Sequence, residues 1–282
     1  MAALTDLSAL VNRVTGGNSG NPQHLTAWID SRVGAAAAQA PVANRWTSLW
    51  QYNATLGGSG ALPAAATNPA RNVAGAFGQN DPTGGRQLWL LGIEGYSSIA
   101  ANYLIYDRLA QVGGRSGTVI TAQTCNISST RYNTAQTAVG VQIAIEIGVA
   151  VGTTATTISA SYTNQDGTAG RTTKLTAFGG TGNRELQRIL FLPLADGDTG
   201  VLSVQSVTVT ATTGTAGNFA VLMVKPLIQV GTSYAGGCFI RDAVTNAPAL
   251  PEVLTGACLS AMFIGPGTAI PQIMMTLHMV EA

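Results

Sequence analysis

Thr157-Ile-Ser-Ala-Ser-Tyr-Thr-Asn-Gln-Asp-Gly-Thr-Ala-Gly170 and Thr208-Val-Thr-Ala-Thr-Thr-Gly-Thr-Ala-Gly217 carry one phrase twice. In each, an alternating β-branched run ends at Gly-Thr-Ala-Gly, which reads as a strand entering a tight turn. Around the two copies, from Val119 to about Val230, the chain is rich in Thr, Gly and Ala and poor in charge. Strand candidates recur outward from them. They are Gln87 to Ile93, Ser98 to Asp107, Val139 to Val149, Thr156 to Thr163, Thr172 to Phe178, Leu186 to Leu192, Val201 to Ala211, Phe219 to Ile228, Cys238 to Asp242, Ala257 to Ile264 and Gln272 to Met279. Turn signals at Asp166-Gly167, Gly179-Gly180, Asp196-Gly197, Gly214, Gly231 and Gly265-Pro266-Gly267 separate them. Many short strands with regular turns, and no helices long enough for parallel crossovers, predict a mainly β protein. The expected architecture is an antiparallel β-sandwich, jelly-roll-like, over residues 86–282.

Residues 1–85 read differently, as a short helical and extended N-terminal arm. Leu7, Leu10, Val11 and Val14 fall at helical spacing, so Thr5 to Val14 is expected to be a helix that stops at Gly16-Gly17. Pro22 at an entry, with Leu25, Trp28, Ile29, Arg32 and Val33, predicts a second helix. Ala54 to Gly85 has no periodicity and reads as an extended arm laid across a neighbouring subunit. Trp28, Trp46, Trp50 and Tyr52 cluster in this part of the chain. Two roles suit them: the core of a small helical subdomain, or anchors of a protein interface, where tryptophan and tyrosine often dominate binding.

The composition bounds the function. Charged residues make up 10% of the 282-residue chain, against about 25% in ordinary domains. So few charges protect poorly against self-association, so much of the surface is expected to be covered by neighbouring subunits. A net charge of +1 offers no basic field for nucleic acid. The apolar runs are broken too early for a membrane-spanning helix to be expected, and the first residues, without a basic start and a long apolar run, are not expected to act as a secretory leader. Cys125, Cys238 and Cys258 form no metal-binding spacing and read as buried thiols, with a Cys238–Cys258 disulfide as the alternative.

No catalytic, cofactor or metal site emerges. His24 and His278 are the only histidines, and no Gly-x-Ser-x-Gly elbow accompanies them. Both read as surface or interface residues. Glu94 and Glu146 interrupt apolar strands and each needs water or a partner; an arginine pair is the structural answer and a catalytic acid the sharper one. Asp196-Gly-Asp198 is too short for a calcium loop and reads as turn chemistry. Gly113-Gly-Arg-Ser-Gly117 lacks the Lys-Ser/Thr ending of a phosphate loop and reads as a connection between strands.

Leu104-Ile-Tyr-Asp-Arg-Leu-Ala-Gln-Val-Gly-Gly-Arg-Ser-Gly-Thr-Val-Ile-Thr-Ala-Gln123 resembles a recurrent segment of tailed-bacteriophage structural proteins. So do Val151 to Thr172 and Gly214-Thr-Ala-Gly-Asn-Phe-Ala-Val-Leu-Met-Val-Lys-Pro226, and the resemblance extends over about Leu88 to Ile228. It implies a virion protein assembled in the host bacterial cytoplasm, with no catalytic residues to carry over. The role expected first is a capsid decoration or cement protein. It would be a homotrimer or other symmetric oligomer, bound between major capsid subunits and bridging them with the arm. A neck, tail or baseplate component is the alternative. A glycan-binding or glycan-degrading tail module ranks third, because the β region is poor in exposed aromatic candidates.

Overall fold

The computed structural model describes residues 21–30, 40–51, 59–246 and 250–282. The helix expected over Thr5 to Val14, and Tyr52, lie outside them. The described residues form a mainly β protein of three antiparallel sheets with almost no helix. The central sheet has the order β10 (Ile189–Leu192), β6 (Gln142–Val149), β12 (Asn218–Thr232), β4 (Ala101–Arg115), β15 (Leu259–Ile264), β2 (Thr47–Ser48). A terminal sheet runs β1 (Asn21–Asp30), β16 (Gln272–Glu281), β3 (Leu88–Ser97), β13 (Gly237–Asp242), with β14 (Glu252–Val253) also on β3. A distal sheet runs β5 (Gln123–Ser128), β11 (Val201–Val209), β7 (Thr156–Asn164), β8 (Arg171–Thr172), with β9 (Thr176–Phe178) also on β7. Two single-turn helices, α1 (Ala135–Ala138) and α2 (Ala243–Asn246), complete the described elements.

The fifteen-residue strands β4 and β12 serve two cores. Near one end, Tyr103 and Ile105 of β4 pack with Leu90, Ile93, Met275 and Leu277 of the terminal sheet. Further along, Ala110 and Val112 join Ile158, Tyr162, Val204 and Val207 of the distal sheet. In β4 the core-facing residues change from odd-numbered in the first core (Tyr103, Ile105) to even-numbered beyond Leu109 in the second (Ala110, Val112). A register shift where Val224 and Met223 of β12 pair with Arg108 and Ala110 accounts for the change of parity. A bulge adds one residue to a strand and so turns the following side chains over. The opposite face of the central sheet buries Tyr106, Ala144, Leu222 and Met262 beneath Trp46 and Leu62.

The helix expected from Pro22 is instead strand β1, paired residue for residue with β16 from Asn21↔Glu281 to Asp30↔Gln272. Leu25 and Ile29 satisfy both a helical and a two-residue period. The ladder to β16 decides between them, because it buries Ala27 and Ile29 while His24, Thr26 and Trp28 face solvent. The described part of the segment expected as an extended arm docks on its own chain. Thr67 bridges Gln111, the Gly113 amide donates to the Pro63 carbonyl, and Phe77 enters the core.

The two copies of the opening phrase differ in environment. Gly167 and Gly170, in the first, have open space around them. In the second, Thr213 is wholly buried. Its amide donates to the Gly117 carbonyl (2.9 Å), its carbonyl accepts from the Thr154 amide (3.1 Å), and its hydroxyl accepts from the Gly152 amide (3.0 Å). One phrase is therefore an exposed turn and the other a junction between three loops.

Candidate functional site: the solvent face of the terminal sheet

Cross-strand register builds a flat face from four strands. Trp28, Met274, Tyr96 and Cys238 form one row across β1, β16, β3 and β13. Thr26, Thr276, Glu94 and Ile240 form the next. His24, His278, Gly92 and Asp242 form the third. Every second residue of a strand shares a face, so burial of Ala27, Ile93, Met275 and Phe239 on the inner side forces these rows outward. Large apolar groups stay exposed here: Trp28 at 43%, Met274 at 42% and Ile240 at 77%. The polar members bond to one another. Thr26 and Thr276 hydroxyls lie 3.0 Å apart, and the Nδ1 atoms of His24 and His278 lie 2.8 Å apart. Glu94 Oε1 is 3.3 Å from His278 Nε2.

Of the residues expected to be interface anchors, Trp28 lies on this face. Trp46 is half-buried against the opposite side of the central sheet. Trp50 is 1% exposed and belongs to the core, so an anchor role does not hold for it. Its indole lies in a slot left by two glycines: a Cβ on Gly60 would fall 2.2 Å from the ring and one on Gly75 2.7 Å. The indole nitrogen donates to the Ala61 carbonyl (3.0 Å), and the Arg108 guanidinium lies 4.3 Å from the ring centroid.

Arg108 is the partner that Glu146 needs. Both side chains are 0% exposed, and Nη1 donates to Glu146 Oε2 at 2.7 Å. Arg108 Nε donates to Gln111 Oε1 at 2.7 Å, and Gln51 Nε2 donates to Glu146 Oε1 at 3.1 Å. Burial is the largest influence and opposes the guanidinium's charge, but Glu146, together with Tyr106 and Cys258, outweighs it and holds the Arg108 pKa above the ordinary arginine value. With its carboxylate turned into this network and closed off from solvent, Glu146 has the surroundings of a structural pair. Beside it, Arg131 grips Asp107 through two bonds of 2.9 and 2.8 Å. The cysteines are all free: Cys238 is exposed on the terminal sheet, and Cys258 is buried beside Asp107, so the alternative disulfide is not formed.

Asp196-Gly-Asp198 is a turn, with Gly197 at φ +88°. Asp198 accepts hydrogen bonds from Arg171 Nε (2.8 Å), Asn164 Nδ2 (2.8 Å) and the Tyr162 hydroxyl. Arg171 foremost, then Asn164 and Tyr162, hold its carboxyl down to about 2. A depressed carboxyl stabilises the fold above its unfolded value and loses that contribution as pH falls through the folded one. Thermal melts should therefore show a stability loss between about pH 4 and about pH 2 that Asp198→Asn lacks. An unchanged acid profile in that variant would remove Asp198 from the acid transition.

Among the described residues, no three or more His, Cys, Asp or Glu side chains gather as a metal-binding group. Comparisons with known protein families, with curated proteins and with solved structures each return no match.

Proposed function

We propose that this protein is a structural component of a tailed-bacteriophage virion, most simply a capsid decoration protein, that docks a neighbouring subunit on the solvent face of its terminal sheet. The body is an antiparallel β-sandwich in which the central sheet is shared between two cores. The observation that carries the docking reading is the row Trp28–Met274–Tyr96, with Trp28 and Met274 exposed and Tyr96 half-buried, and the exposed Ile240 beside it. Clustered large apolar groups on a solvent-facing sheet are characteristic of interaction surfaces. A tryptophan in such a patch often contributes about 2 kcal/mol or more to binding. Binding only the assembled shell would stabilise that state by mass action. The virion reading itself is supported by the resemblance of residues 104–123 and 151–172 and by the 10% charge content. A neck, tail or baseplate location uses the same surface.

Trp28→Ala combined with Ile240→Ser should leave the melting temperature nearly unchanged and weaken attachment to expanded capsids roughly thirtyfold or more. Attachment at full affinity would overturn the docking face. Quantifying copies per particle separates the locations: a number comparable to the shell protein supports decoration, and a number fitting a single ring supports the neck or tail. Absence from purified particles would end the virion reading.

A further inference from the structure

The chain's two histidines meet although 254 residues separate them in sequence. His24 on edge strand β1 stands opposite His278 on β16. Their rings lie with centroids 5.0 Å apart at 70°, and the nitrogens that face each other are both Nδ1, at 2.8 Å. A contact this short needs a lone pair on one side, since two N–H groups cannot point at each other. Glu94 sets which side. Its carboxylate lies 3.3 Å from His278 Nε2, which favours the proton on that nitrogen and leaves the lone pair of His278 on Nδ1, the atom that faces His24. A carboxylate behind a histidine is the arrangement that orients imidazole ligands in metal sites.

We propose that His24 and His278 bind one divalent transition-metal ion of the zinc, nickel or copper class through their Nδ1 atoms, with Glu94 as the positioning residue. Neutral imidazole nitrogens suit these ions. His24 needs only to move its proton from Nδ1 to Nε2, a tautomer change without change of charge, for both lone pairs to converge. Zinc–nitrogen bonds of about 2.0–2.1 Å at a tetrahedral angle put the two nitrogens about 3.3 Å apart, so the pair opens by about half an ångström. That movement is inexpensive here. His24 is exposed, His278 is about one-third exposed, and its neighbour on β3 is Gly92, which has no side chain to obstruct the ring. The ten-pair ladder between β1 and β16 fixes the two backbones meanwhile. The nearby Glu94 and the Asp242 that ends the same row favour a cation over an anion, with Arg241 alongside the adjoining pocket. Two protein ligands leave the other coordination positions to water. The site does not depend on the virion reading.

Titrating the full chain with zinc chloride, followed by calorimetry, tests this. One ion per chain is expected, released by chelator. His24→Ala and His278→Ala should each lose at least tenfold in affinity, and Glu94→Gln about tenfold, without change in the far-ultraviolet circular dichroism. Cobalt(II) substitution should give ligand-field bands that disappear in either histidine variant. Cys238, the exposed thiol on the same face, provides the control: Cys238→Ser should bind as the parent does. Zinc binding that survives both histidine variants, that disappears in Cys238→Ser, or that is absent from the parent protein would overturn the proposal.

Discussion

Replacing Glu146 by alanine should destabilise the protein by about 3–5 kcal/mol, because it leaves the Arg108 guanidinium charged, wholly buried and without its carboxylate. The energy lies in the asymmetry of the change. Burying both ions costs heavily in lost hydration, and their mutual attraction roughly repays it; removing one partner keeps the cost and deletes the repayment. Removing both should therefore be far milder. Arg108→Met with Glu146→Leu should recover most of the loss, short of about 1 kcal/mol each for Gln111 and Gln51, which lose one bond apiece. Urea denaturation of the two single variants and the double variant measures this, and the coupling between positions should reach several kcal/mol. A Glu146→Ala cost below about 1 kcal/mol would mean that solvent reaches the pair.

Trp50 belongs to the same unit. Trp50→Ala removes both the aromatic face over Arg108 and the group that fills the slot beside Gly60 and Gly75. Its effect should not add to that of Arg108→Met, since each takes away the other's contact. This gives a physical reason for the glycine and alanine content of the segment before residue 86. Where that segment is described, small residues let the backbone approach the indole closely.

How much of this was legible in the sequence differs by kind of feature. The strands around Leu88, Gln142, Thr156, Val201, Phe219 and Gln272 were, because apolar runs bounded by glycine turns mark them locally. β1 was not. Leu25 and Ile29 fit two periods, and only the distant β16 decides between them. Glu146 could be flagged as a charge needing a partner, but nothing local names Arg108, which lies in a different strand. The tryptophans were read as one group, yet Trp28 faces solvent and Trp50 fills the core, a distinction that depends on which residues cover them. The histidine pair was invisible for the same reason: each residue is unremarked in its own segment, and register alone brings the two together. The solvent face of the terminal sheet is likewise a product of pairing between strands from opposite ends of the chain.

Gly152→Ala should be among the most damaging glycine-to-alanine changes at the described glycines, costing about 3 kcal/mol or more. A Cβ at this position would fall 1.7 Å from the Thr213 carbonyl oxygen and 2.3 Å from its carbon. Those atoms are backbone, so no rotamer change relieves the clash. Thr213 is also unable to withdraw. Its amide, carbonyl and hydroxyl are bonded to Gly117, Thr154, Gly152 and Thr215, and Gly179 closes on its side chain from another loop. The added methyl must therefore move three connections at once. Gly167→Ala in the exposed copy of the phrase is the matched control. Nothing lies within 4 Å of that Cβ, so only the left-handed backbone at φ +82° resists it, at roughly 1–2 kcal/mol. Denaturant midpoints of the two variants, measured side by side, separate crowding from backbone strain. Equal losses would mean that the Thr213 junction yields as freely as an open turn, and the buried copy of the phrase would then have no special place in the fold.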